Sequence, residues 1–172
     1  MSKAVRLLVV CVVTGTLGCA TRSTPDSVAR PPDHVAAAEP NAGSDYVLKF
    51  SELGPHEAGP GERIYLMRGE QHGFDALSLI MTETEPQGGP PLHTHDSEEA
   101  HVLYEGTVTY QIGDDRFTVS GPYVARVPAG VPHTFINSGN QIFNLTCAFP
   151  TKHYTFQFVA PNPLLPSTKQ NP

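Results

Sequence analysis

Proline and glycine interrupt this chain too often for a long helix to fit: 17 Pro and 15 Gly are spread through 172 residues. Proline inside a helix removes a hydrogen bond and clashes with the preceding turn, and glycine there gives up backbone entropy. What survives between the interruptions is a series of short runs rich in β-branched and aromatic residues, at 46–50, 63–68, 76–84, 101–112, 116–120, 123–127, 134–137, 141–149 and 154–159. Runs of this length and spacing predict strands, and strands in this number predict an all-β sandwich or barrel. Gly113, Asp114 and Asp115 form a hairpin turn between two of them. The length suits one domain with a real core and is short for two.

The N-terminal region reads differently. Lys3 and Arg6 flank the start of an apolar run from Leu7 to Val13, and small residues then lead to Cys19, a pattern that predicts a signal peptide over 1–18. The apolar run is too short for a bilayer core, which takes about 20 residues. Thr16-Leu17-Gly18-Cys19 resembles a bacterial lipobox, which implies lipidation of Cys19 after cleavage. Residues 19–45, rich in Pro, Ala and Ser without an apolar period, predict a disordered tether. The folded domain is expected over 46–160, with 161–172 as a tail. Such a protein belongs at the bacterial cell envelope, on the outer membrane facing the periplasm or else secreted, and touches the membrane through its anchor alone. Cys11 leaves with the signal, so Cys147 is the one thiol of the domain and is expected to pack as a small buried hydrophobe. A formal charge of -6 without a cluster of Lys and Arg argues against nucleic acid as a partner.

His93, His95 and His101 lie within nine residues, together with the adjacent acids Glu98 and Glu99. In a strand, residues i and i+2 share a face, so His93 and His95 can present both imidazoles to one point. Glu99 can face them from the next run, and His133 arrives from far along the chain after Pro128-Ala129-Gly130-Val131-Pro132. Three neutral imidazoles and one carboxylate suit a borderline divalent transition metal, Fe, Mn, Ni, Cu or Zn, whereas hard Ca²⁺ takes more oxygen. Free imidazole titrates near 6.5, so metal is expected to leave as the pH falls through about 6. His101, two positions beyond Glu99, points inward by alternation; it can move a proton, orient a ligand or fill space. Tyr104 faces outward. Tyr123 and Arg126 take opposite faces of one strand, and the sequence leaves open which of them meets a substrate.

This spacing resembles the cupin superfamily. Its first motif runs Gly, five residues, His-x-His, three or four residues, Glu, six residues, Gly; here His93, His95, Glu99 and Gly106 match, while Gln87 stands where the opening Gly belongs. Its second runs Gly, five residues, Pro-x-Gly, two residues, His, three residues, Asn; Pro128, Gly130, His133 and Asn137 match, and Gly121 stands one residue early. The motifs occupy 89–106 and 121–137. The resemblance implies an antiparallel jelly-roll barrel whose metal ligands are His93, His95, Glu99 and His133, with Glu99 rather than Glu98 selected by the distance to Gly106. It further implies a mononuclear centre, with Fe or Mn favoured, in an enzyme of dioxygenase type acting on a small enolisable or oxygen-donor molecule. His101 is the candidate proton-transfer residue. A non-redox isomerase or lyase, and a binding protein without turnover, are the alternatives. A small-molecule ligand is the expected partner, and a second copy in a homodimer another.

Overall fold

The computed structural model describes residues 46–169; the expected signal peptide, Cys19 and the tether lie outside them. Eleven strands form two sheets. The strands are β1 (Pro55–Gly59), β2 (Glu62–Met67), β3 (Ser78–Thr84), β4 (Leu92–Thr94), β5 (Glu99–Leu103), β6 (Thr107–Ile112), β7 (Asp115–Ser120), β8 (Tyr123–Val127), β9 (His133–Asn137), β10 (Phe143–Phe149) and β11 (Gln157–Ala160). One sheet has the order β1-β2-β3-β10-β5-β8 and the other β11-β4-β9-β6-β7, with antiparallel pairing throughout. This is the expected all-β jelly roll. Two single-turn helices, Phe50–Leu53 and Gly69–His72, are the only α-helices among the described residues.

Alternation along the strands builds the core. Leu103 on β5, Val108 and Tyr110 on β6, Phe135 on β9, and Leu145 and Phe149 on β10 are all buried in one cluster. Gly113 and Asp114 make the expected hairpin, with Ile112 paired to Asp115 and Gly113 at φ 59°.

Several expected strands differ. Residues 46–50 are not a strand; Tyr46 is 98% exposed, and Phe50 opens a helical turn and packs its ring 5.1 Å from that of Tyr65 on β2. The run 101–112 is two strands, divided where Gly106 takes φ 121°. The last strand begins at Gln157, and Tyr154 is instead a buried loop residue. Pro55–Gly59 had no strand signal and pairs at the sheet edge, where a proline's missing N–H costs no ladder bond.

The loop before β4 places the metal region. A Cβ on Gly89 would collide with the Phe135 carbonyl, so glycine lets the two backbones touch. Pro90 O accepts from Thr134 Oγ1 at 2.7 Å and Asn162 Nδ2 at 2.8 Å. Asn137 closes the second motif by donating to Thr84 O and Gln141 O, both at 2.8 Å. Gln87, where the pattern calls for glycine, adopts φ 60° and donates its N–H to Asn137 O at 2.9 Å. The turn is therefore kept with a strained residue. Gln87→Gly should raise stability by ~0.5–1 kcal/mol, the left-handed penalty less glycine's greater chain entropy. An unchanged or lower denaturation midpoint would show that the Gln87 side chain contributes more than its backbone costs.

Candidate metal centre

The centre draws on both sheets. His93 on β4 pairs directly with His133, the first residue of β9, and their ring centroids lie 4.3 Å apart. His95 follows just beyond β4, its ring 4.9 Å from that of His93. Glu99 opens β5 in the facing sheet. Gly130, at φ 73°, makes the corner before β9 and donates its N–H to His95 O at 2.7 Å, tying the two histidine loops together.

Each imidazole is aimed by the main chain. Nδ1 of His93 lies 2.7 Å from Pro91 O, that of His95 2.5 Å from Thr155 O, and that of His133 2.9 Å from Val131 O. A carbonyl can only accept, so each Nδ1 carries the proton and each Nε2 keeps a lone pair. The ligating atoms of the three rings lie within 4.8 Å of one another. Glu99 Oε2 is 3.0 Å from His133 Nε2 and 3.7 Å from His95 Nε2, yet none of these three buried atoms has a well-directed hydrogen bond. Atoms held about 2.1 Å from one ion at right angles are themselves about 3 Å apart, so these spacings suit ligands of a shared ion. The donor set fits a divalent metal.

The electrostatics agree. Burial, followed by the neighbouring His133, lowers the His93 pKa to about 3, and burial likewise lowers that of His95, keeping both neutral as ligands must be. Burial alone would raise the Glu99 pKa, but His101 and His133 outweigh it and hold the carboxyl well below its usual range.

His101 takes up the other carboxylate oxygen. Its Nε2 is 3.0 Å from Glu99 Oε1, and its Nδ1 is 3.2 Å from Tyr110 Oη, which lies 3.0 Å from Tyr123 Oη. Cys147 is buried beside them, and burial with the adjacent Glu99 pushes its thiol pKa up, so it stays protonated. Glu98 turns outward to Arg126 at 3.1 Å, and Tyr104 is 78% exposed. Tyr123 is the inward member of its pair, though it meets Tyr110 rather than the cavity.

The centre opens into a cavity of about 340 Å³. Ile64 and Leu66 on β2, Ile80 on β3, and Phe135 make apolar walls, and Phe156 stacks on His93 at 4.8 Å. Five polar residues of the walls escaped the sequence reading: Glu57, Glu62, Arg68, Thr82 and Tyr154. Glu62 begins β2; Arg68 lies 4.7 Å over the Tyr154 ring; burial pushes the Tyr154 phenol up to about 12. Alternation with Ile64 and Leu66 was a signal for Glu62, whereas Arg68 and Tyr154 follow no motif.

An antiparallel jelly roll with three converging buried histidines, and a buried glutamate beside two of them, defines a class of candidate metal-binding barrels, and comparison agrees with it. Residues 80–149 match the family model of the cupin domain. Similar solved structures include an oxalate decarboxylase from Lactobacillus farciminis in complex with formate, at 20% identity and TM-score 0.58 over 63% of this chain and 34% of that one. Oxalate decarboxylase from Bacillus subtilis at pH 4.6 matches at 20% identity and TM-score 0.58, over 64% and 30%. Another structure of that Bacillus enzyme, which has Mn(II) centres, matches at 19% and 0.59, over 64% and 31%. This chain spans about a third of those proteins, and the likeness is one of fold. No curated protein matches the chain in sequence.

Proposed function

We propose that this cupin is a metal-dependent enzyme of dioxygenase type acting on a small enolisable molecule with oxygen donors. The observation that carries the reading is a cluster of unpartnered ligand atoms, His95 Nε2, His133 Nε2 and Glu99 Oε2, beside a cavity large enough for a small organic guest. A divalent ion held by His93, His95, Glu99 and His133 supplies a Lewis acid toward substrate oxygen and, if Fe or Mn, redox access to O₂. The protein's own part is positioning. Ile64, Leu66, Ile80 and Phe156 exclude water, Arg68 supplies a cationic side chain to the cavity wall, and His101 fixes Glu99. His101 Nδ1 meets Tyr110 Oη, and its Nε2 lies 3.0 Å from Glu99 Oε1 without a well-directed hydrogen bond, a placement that suits a residue orienting Glu99.

Anaerobic reconstitution with Fe(II), followed by O₂ and a panel of β-diketones, catechols and hydroxy-keto acids, should consume one O₂ per turnover and place both atoms in the product. Isomerisation or proton exchange without oxygen uptake would sink the reading. His101→Ala should lower kcat about 10- to 100-fold with KM little changed, the scale of losing a group that orients a ligand. The envelope address is part of the same proposal: fatty-acid label should appear on the wild type and vanish in Cys19→Ser, and an unlabelled wild type would remove the anchor.

A further inference from the structure

We propose that Glu62 is the substrate-recognition residue of the cavity, its carboxyl donating a hydrogen bond to a neutral oxygen, hydroxyl or carbonyl, on a part of the guest not held by the metal ligands. This rests on the reading of the cavity as a substrate site. Glu62 is 1% exposed, stands in the cavity wall, and its Oε2 has no hydrogen-bond partner among the described residues. Among those residues no cation neutralises it: the adjacent Arg63 turns outward to Glu83 at 3.4 Å and Glu57 at 3.8 Å. A carboxyl left buried and unpaired is a standing cost to the fold, and one expected where a ligand completes it.

The register sets its backbone apart from the candidate ligands, although its carboxyl is near enough to feel the charge of Glu99. Glu62 pairs with Thr84, which pairs with Phe143 at the start of β10, whereas Glu99 adjoins Ala100, which pairs with Ala148 near the end of that strand. Glu62 is therefore not one of the clustered ligands. Burial first, then the charge of Glu99, raises its pKa to about 8, so at neutral pH it carries a proton to donate. A neutral acid among Ile64, Leu66 and Ile80, in a cavity that already holds the cationic Arg68, matches a neutral oxygen better than an ammonium group.

Three catechols that differ only in the terminus of a two-carbon arm separate the alternatives: 4-ethylcatechol, 4-(2-hydroxyethyl)catechol and 4-(2-aminoethyl)catechol. Calorimetry on the Fe(III)-loaded protein reads affinity, while the visible catecholate absorption reports the metal end independently. The wild type should prefer the hydroxyl arm over the ethyl arm by about 10-fold, with the amine weakest. Glu62→Gln, which still donates and accepts, should keep most of that preference, and Glu62→Leu should lose it. Equal affinities, preference for the amine, or a preference that survives in Glu62→Leu overturns the assignment while a catecholate band leaves the metal reading standing. Absence of the band with all three compounds overturns the metal reading, and calorimetric silence together with absence of the band overturns both. Glu62→Leu should melt no lower than the wild type; a fall of several degrees would make Glu62 a structural partner and also overturn the assignment.

Discussion

The His93→Ala, His95→Ala double variant will lose its metal, falling from about one ion per chain to a trace by elemental analysis. Two of four ligands disappear, and His133 with Glu99 alone makes a poor site. Losing even an outer partner of a ligand costs roughly 10- to 100-fold in affinity, so losing two ligands should cost at least about 10⁴-fold. The fold should survive, because both rings are desolvated polar groups whose hydrogen bonds go only to main-chain carbonyls, although ring contacts with Phe149 and Phe156 are lost, and circular dichroism checks this. A variant that keeps a full ion would place it elsewhere, with Glu99, His101 and Cys147 as the neighbouring trio able to hold one. The structure also revises the expected acid release. With the His93 pKa lowered to about 3 and that of His95 lowered too, protons compete weakly, and half-occupancy should lie well below the pH of about 6 that free imidazole suggests.

Glu62→Gln should be far more stable than the wild type at pH 8 and barely so at pH 4.5, as thermal unfolding with a chelator present will show. An unfolded glutamate ionises near 4.5, but Glu62 in the folded chain holds its proton to about 8. Between those values the folded state binds more protons, so its stability falls as the pH rises, by ~1.4 kcal/mol per unit and at most about 5 kcal/mol in all. Glutamine removes that loss. For a domain of this size the gain at pH 8 amounts to about 10 °C or more in Tm. His93 acts in the opposite sense: from 6.5 down to about 3 the unfolded chain takes up a proton that the folded one refuses, and stability falls with the pH. The two slopes oppose each other between 4.5 and 6.5, so the wild type should be most stable there. Parallel wild-type and Glu62→Gln curves from pH 4.5 to 8 would contradict the neutral carboxyl.

The candidate ligands were legible because their chemistry is written as spacing: His93 and His95 share a strand face, and the proline and glycine corner before His133 is a local signal. Alternation likewise foretold that His101 faces inward and Tyr104 outward. The partner of His101, Tyr110, comes from β6, and only tertiary pairing brings the two together. Residues 46–50 have strand-like composition, but β2 beside Phe50 already pairs with β1 and β3, whereas Pro55–Gly59 lacks that composition and becomes a strand because it takes an edge of β2. Strand formation at both places depends on neighbours more than on propensity. Glu62 was missed because it belongs to no motif, even though the period-two pattern through Ile64 and Leu66 points it inward.

The three imidazoles are steered by the carbonyls of Pro91, Val131 and Thr155, which every amino acid possesses. Substitution at 131 or 155 changes a side chain and leaves the acceptor in place. Part of the cavity wall comes from other elements, β2 and β3, through Glu62, Ile64, Leu66 and Ile80. Inheritance of the ion site and divergence of the guest are thereby uncoupled: a lineage can exchange what the barrel selects, one wall residue at a time, without re-aiming a single ligand.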